Sequence, residues 1–140
     1  MKPRLTVKLN NIDEKSCYEL YFRLLNIFRD KEMRLTEQQI DLSSIIAAKS
    51  MDYIIDSKKS LNGKSKKYEL AKELGIKEAG IYSPLKELVE KKILEEDSEG
   101  FYKLTDSINK VRKQIKKSLE TNKFFEFDYI FEIKVNAENS

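Results

Sequence analysis

The stretch Lys67-Tyr68-Glu69-Leu70-Ala71-Lys72-Glu73-Leu74-Gly75-Ile76, continuing through Ile81-Tyr82-Ser83-Pro84-Leu85 to Leu88, decides how this chain is read. Ala71 is small enough to let two helices approach at a crossing. Gly75 stands where the first helix must close on a left-handed residue. Ile81, Leu85 and Leu88 are spaced for one face of a second helix, with Ile81 placed to pack it back on the first. Proline is tolerated only in a first helical turn. Pro84 therefore predicts either a kink or a late start, with Ser83 as cap.

Downstream, Ile93-Leu94-Glu95 and Phe101-Tyr102-Lys103-Leu104 flank the polar turn Glu96-Asp97-Ser98-Glu99-Gly100, which predicts a short hairpin. Upstream, Thr36 and Gln39 have capping-box spacing and predict a helix to about Asp56, with Ile40, Ser43, Ser44, Ala47, Met51, Ile54 and Ile55 near a helical repeat. Before that, Ser16 and Glu19 repeat the spacing and predict a helix to about Asp30. Its apolar residues, from Tyr18 to Phe28, form a stripe broad enough to be covered on more than one side. Leu5 to Leu9 alternates as a strand does. Residues 57–67 form a polar loop with five lysines: Lys58, Lys59, Lys64, Lys66 and Lys67.

Helix, turn, helix and hairpin in this order, over about residues 35 to 105, resemble the winged helix-turn-helix pattern of MarR-type regulators. The resemblance implies an α+β fold, mainly α with small β, while the length of 140 residues predicts a single domain spanning 1–140. It also implies a DNA-binding role in which the start of the second helix meets base edges while the wing holds phosphates. By position, the outward residues are Glu78, Ala79, Gly80, Tyr82, Ser83 and Lys86. They depart from a good reader: Glu78 would face phosphates, and Ala79 and Gly80 offer no side-chain hydrogen bond. Tyr82, Ser83 and Lys86 are left to touch a base or phosphate. The wing departs further, carrying Glu95, Glu96, Asp97 and Glu99 without an arginine, and carboxylates repel a polyanion.

Composition narrows the chemistry. The chain of 140 residues has 27 Lys+Arg against 24 Asp+Glu, a formal +3, and 36% of its residues are charged. That near balance argues against wrapping nucleic acid over the whole surface. Histidine is absent, which removes His-based triads, His-ligated zinc and the commonest general base. One cysteine, Cys17, offers no CxxC pair, and four scattered glycines make no phosphate-cradling loop. The expectation is a non-enzymatic protein with no cofactor, metal or small-molecule substrate. No apolar run is long enough to span a membrane and no secretory signal follows Met1, so a cytoplasmic protein is expected. The small size and the Lys/Ile/Glu/Asn-rich composition resemble proteins of phages and low-GC bacteria. A phage origin would place it in the host cytoplasm or the virion.

Two further features suggest partners. A predicted helix from near Thr105-Asp106 sets Lys110, Arg112, Lys113, Lys116 and Lys117 opposite Ile108, Val111, Ile115 and Leu119. Such a face neutralises phosphates without reading sequence, or is simply a solvated face. Its apolar stripe is narrow and lacks tryptophan, which argues against a membrane. With the loop and the second helix, it gives the candidate contacts to double-stranded DNA: Lys64, Lys66, Lys67, Tyr82, Ser83, Lys86, Lys110, Lys113, Lys116 and Lys117. At the C-terminus, Phe125, Phe127, Tyr129, Phe131, Ile133 and Val135 alternate, predicting a long strand over 124–135 that pairs with a strand over 4–9 outside the winged-helix core. Its unpaired edge either packs within the chain or extends a sheet between subunits, with Phe125, Phe127, Tyr129, Phe131 and Ile133 as interface. The reading with most support is a weakly specific DNA binder that self-associates. The rival is an assembly module, for instance a phage structural component, that docks proteins on its winged helix.

Overall fold

The computed structural model describes residues 5–8, 13–49, 53–56, 66–121 and 124–127. At its centre is helix α2 (Glu37–Ala47), and the sequence signal for its start is met in full. Gln39 N donates to Thr36 Oγ1 at 3.2 Å while Thr36 N donates to Gln39 Oε1 at 2.9 Å, so two otherwise orphaned backbone donors are satisfied reciprocally. Gln39, Ile40 and every residue from Leu42 to Ala47 are buried. Two of them are serines. Ser44 survives there because its hydroxyl donates back to Ile40 O at 2.7 Å.

The expected continuation of α2 to Asp56 does not occur. Helix α5 (Asp106–Thr121) crosses its end, and the buried Arg112 donates from Nε to Ala47 O at 2.6 Å and from Nη2 to Lys49 O. Those carbonyls are thus occupied by another element, not by a further helical turn. Further along, Ile55–Asp56 form strand β2.

Helix α1 (Glu14–Phe28) also starts differently from expectation. Its cap is Asp13, whose carboxylate accepts from Ser16 N at 2.7 Å, so Ser16 is inside the helix. Burial is one-sided: Cys17, Tyr18, Tyr21 and Phe22 face the core, whereas Ile27 is 51% exposed. All-round coverage belongs to α2. A 3-10 turn at Lys31–Met33 links the two helices, and Lys15–Asp41 and Arg23–Glu37, both at 2.6 Å, bridge them on the surface. Exposed pairs of this kind orient more than they stabilise.

Helix α3 (Lys66–Leu74), a 3-10 turn (Glu78–Ile81) and helix α4 (Tyr82–Glu90) follow, then strands β3 (Leu94–Glu96) and β4 (Phe101–Leu104). The sheet order is β2-β4-β3, antiparallel throughout, with Ile55 opposite Tyr102 and Leu94 opposite Leu104. Those four side chains are buried under α2 and its neighbours with Leu70, Ile81, Leu85 and Leu88. The architecture is mainly helical with small antiparallel sheets, an α+β arrangement.

The terminal strands pair as the alternation suggested. β1 (Leu5–Lys8) lies antiparallel to β5 (Phe124–Phe127), with Leu5 opposite Phe127 and Val7 opposite Phe125. β5 lies against α5, and α5 against α1. Residue 4, residue 9 and residues 128–135 of the expected strands lie outside the described residues, as do Tyr129, Phe131 and Ile133. No helix among the described residues is long and apolar enough to cross a membrane.

Candidate nucleic-acid interface

The α3–α4 pair is built by two helix ends of the same kind. At the first, Gly75 has φ +74°, Ile76 N donates to Ala71 O at 3.0 Å and Gly75 N to Lys72 O at 3.2 Å. This pair of hydrogen bonds closes α3 and turns the chain toward α4. At the second, Lys92 takes the same left-handed role at φ 63°, with Ile93 N on Leu88 O at 2.9 Å and Lys92 N on Val89 O at 3.1 Å. Pro84 falls in the first turn of α4, where no backbone donor is needed, so it neither kinks nor delays the helix.

Ile81, Leu85 and Leu88 are fully buried, which turns the opposite side of α4 outward. Ala79, Gly80, Tyr82, Ser83 and Lys86 are exposed, while Glu78 is half-buried. The far end of α4 is held by a network of long-range contacts that no local sequence pattern signals. Arg29 Nη1 donates to Lys91 O at 2.7 Å and to Met33 O at 3.0 Å. Lys91 Nζ reaches back to Arg34 O and Gln39 Oε1, both at 2.6 Å, and Gln39 Nε2 donates to Glu87 Oε2 at 2.7 Å. Burial draws the Arg29 guanidinium's pKa below its ordinary value. The α1–α2 connection therefore clamps α4 and fixes where its start points.

The lysines expected to meet phosphate separate into three groups. Lys66 is exposed, with its ammonium 5.0 Å from the Tyr53 ring centroid. Lys67 is not on the surface: it is 1% exposed, and its ammonium lies 3.8 Å from the Tyr82 ring centroid and donates to the Tyr82 hydroxyl. The residue is turned inward because α3 packs its Lys67, Leu70 and Ala71 side toward the core. Lys64 lies outside the described residues.

Helix α5 presents Lys110, Lys113, Lys116 and Lys117 outward, with Ile108, Val111 and Ile115 buried on the other side. Arg112, read from the sequence as a fifth member of this basic face, is 2% exposed and serves the α2 terminus instead. Among the described residues, Lys110, Lys113 and Lys116 make no ion pair.

The β3–β4 turn is organised by one of its own acids. The Asp97 carboxylate accepts from Glu99 N and Phe101 N, both at 2.9 Å, and Gly100 takes φ +86°. Glu95 lies 3.4 Å from the Lys103 ammonium. Burial, followed by the charge of Glu96, raises the Tyr102 phenol. The hairpin thus carries four carboxylates within five residues, Glu95, Glu96, Asp97 and Glu99. Among the described residues, no group of three or more His, Cys, Asp or Glu could hold a metal ion.

Comparison with protein-family models, with curated proteins and with solved structures found no match.

Proposed function

We propose that this chain is a non-enzymatic winged helix-turn-helix protein that binds nucleic acid with weak or no sequence preference. The observation that carries this reading is one arrangement: α2, β2, α3, α4 and the β3–β4 hairpin in that order, closed by the sheet order β2-β4-β3, with the start of α4 exposed. Tyr82, Ser83 and Lys86 are its contact side chains on α4, Lys66 adds charge from α3, and the exposed lysines of α5 add phosphate contacts. Small outward residues at Ala79 and Gly80 support low sequence preference, because they offer nothing to a base edge.

The test is fluorescence anisotropy of a labelled random-sequence duplex at about 50 and about 200 mM salt, since phosphate-driven affinity falls steeply across that range. Micromolar binding that collapses with salt is the expected result. No binding of this duplex or of a labelled single strand at the lower salt overturns the reading.

A second reading is favoured by the acidic hairpin: Glu95, Glu96, Asp97 and Glu99 stand where a wing would lie against phosphates. On that reading the same fold is an assembly module that docks protein, with self-association through the terminal strands. Its distinguishing result is a stable oligomer that binds neither duplex nor single strand at low salt.

A further inference from the structure

The start of α4 carries a more specific arrangement than polyanion binding requires. Tyr82 is 37% exposed, yet its ring is fixed from one side by a side chain almost wholly withdrawn from solvent. We propose that Tyr82, held in place by Lys67, is a stacking platform for an unpaired base, so that this interface takes single-stranded nucleic acid in preference to duplex. The inference rests on the nucleic-acid reading above and names the ligand class for that same site.

Three observations converge on it. An aromatic ring exposed beside positive charge is the usual element of single-strand recognition, because every base has a stacking face while phosphates are held electrostatically. Here Tyr82 is flanked by exposed Ser83 and, one helical turn on, by exposed Lys86. The second observation is the anchoring. The Lys67 ammonium contacts the ring face and also bonds the hydroxyl, so the ring is oriented before any ligand arrives. A preoriented platform loses little freedom on binding.

The third is the surroundings. A duplex brings two phosphate strands to the protein, and the carboxylates of the β3–β4 turn repel whichever strand lies against them. A single strand brings one, which can follow Lys86 and Lys66 and leave the acidic turn in water. The residues before Tyr82 offer no compensating base-edge contacts to a duplex, since Ala79 and Gly80 have none to give. Lys67 acts through Tyr82 and is a positioning residue.

The chain contains no tryptophan, so Tyr82→Trp installs a single emission reporter at the platform while keeping an aromatic face over the Lys67 ammonium. The full chain carrying Tyr82→Trp is titrated with an oligothymidylate of roughly 20 nucleotides and with a duplex of the same length, and read by both tryptophan emission and anisotropy of a labelled strand. The expected result is tighter binding of the single strand, with quenching of the tryptophan by the single strand alone. Ile27→Trp, on the exposed side of α1, should bind equally without quenching. Tyr82→Ala should weaken single-strand binding about tenfold and Tyr82→Phe should keep the preference, because stacking needs the ring and not the hydroxyl. In the Tyr82→Trp background, Lys67→Met should reduce the quenching and Lys67→Arg should retain more of it. Binding of both ligands with no quenching, or tighter binding of the duplex, overturns the stacking platform and leaves the polyanion reading standing. No anisotropy change with either ligand at low salt overturns both.

Discussion

Lys92 occupies a left-handed backbone position with an exposed side chain, and Gly75 occupies the equivalent position with none. The strain differs accordingly. Lys92→Gly should stabilise the protein by about 1 kcal/mol, because the cost of holding Cβ near the following carbonyl disappears. Gly75→Ala should destabilise by about the same amount. A Cβ at Gly75 would meet nothing within 4 Å, so that loss comes from backbone conformation alone. Chemical denaturation of the two variants checks both signs. Arg112 is the contrasting case, a buried guanidinium whose bonds go to two backbone carbonyls. Arg112→Met keeps much of the volume but strips the end of α2 of its donors. It should cost about 2–3 kcal/mol in the same measurement, in keeping with hydrogen bonds from a charged group.

At the scale of elements, α5 is a helix with two distinct jobs on two sides. Its apolar residues and Arg112 join it to α1 and α2, while Lys110, Lys113, Lys116 and Lys117 face outward. Replacing Lys113, Lys116 and Lys117 with Glu leaves the inner side untouched. Thermal unfolding should stay close to the parent while low-salt duplex binding is lost. Unchanged affinity would remove α5 from the contact surface and leave the start of α4 as the remaining candidate. The clamp between the α1–α2 connection and the end of α4 belongs to the same scale. Arg29, Lys91 and Gln39 set the position of α4 from its C-terminal end, so its exposed start is presented by a rigid element and not by a loop.

For the whole molecule, pH dependence is dictated by which groups titrate differently once buried. With no histidine in the chain, no side chain has its ordinary pKa between the carboxylates and the thiol, so stability should be nearly flat from about pH 5 to about pH 8. Above that the sign is set by α1. Burial raises the Cys17 thiol above its ordinary 9.0, and burial followed by the bond to Glu14 raises the Tyr18 phenol well above its ordinary 10.0. The native state therefore keeps protons that the unfolded chain has released. The contribution of each group is complete below its unfolded pKa and declines as pH climbs from there toward the raised native value. The melting temperature should fall between about pH 8 and about pH 11, and Tyr18→Phe should make that decline shallower. The terminal strands supply the second whole-molecule expectation. If sheet extension through β5 joins copies, Phe127→Asp combined with Phe131→Asp converts the oligomer to monomer or aggregate in size-exclusion chromatography. An elution mass and solubility equal to the parent's would exclude that interface.

Local signals in the sequence determined local structure. The capping box at Thr36 and Gln39, the left-handed closure at Gly75, the inward set Ile81, Leu85 and Leu88, the Asp97–Gly100 turn and the pairing of the two terminal strands were all legible, because each depends on residues within one or two turns or on a plain alternation. Asp13 was legible in principle as a cap, but Ser16 and Glu19 imitate the same spacing three residues later. The exposed side of α4 and the lysines of α5 followed from periodicity too, since the apolar residues fix which way a helix faces. Tertiary structure decided the rest. The end of α2 at Ala47, against an apolar pattern that runs to Ile55, came from a guanidinium far along the chain taking its carbonyls, and from Ile55 finding a strand partner in Tyr102. The inward turn of Lys67 and Arg112 was equally hidden, because a lysine or arginine reads as surface unless its partner is known. Their partners, the Tyr82 ring and two α2 carbonyls, are contacts that only the folded chain assembles.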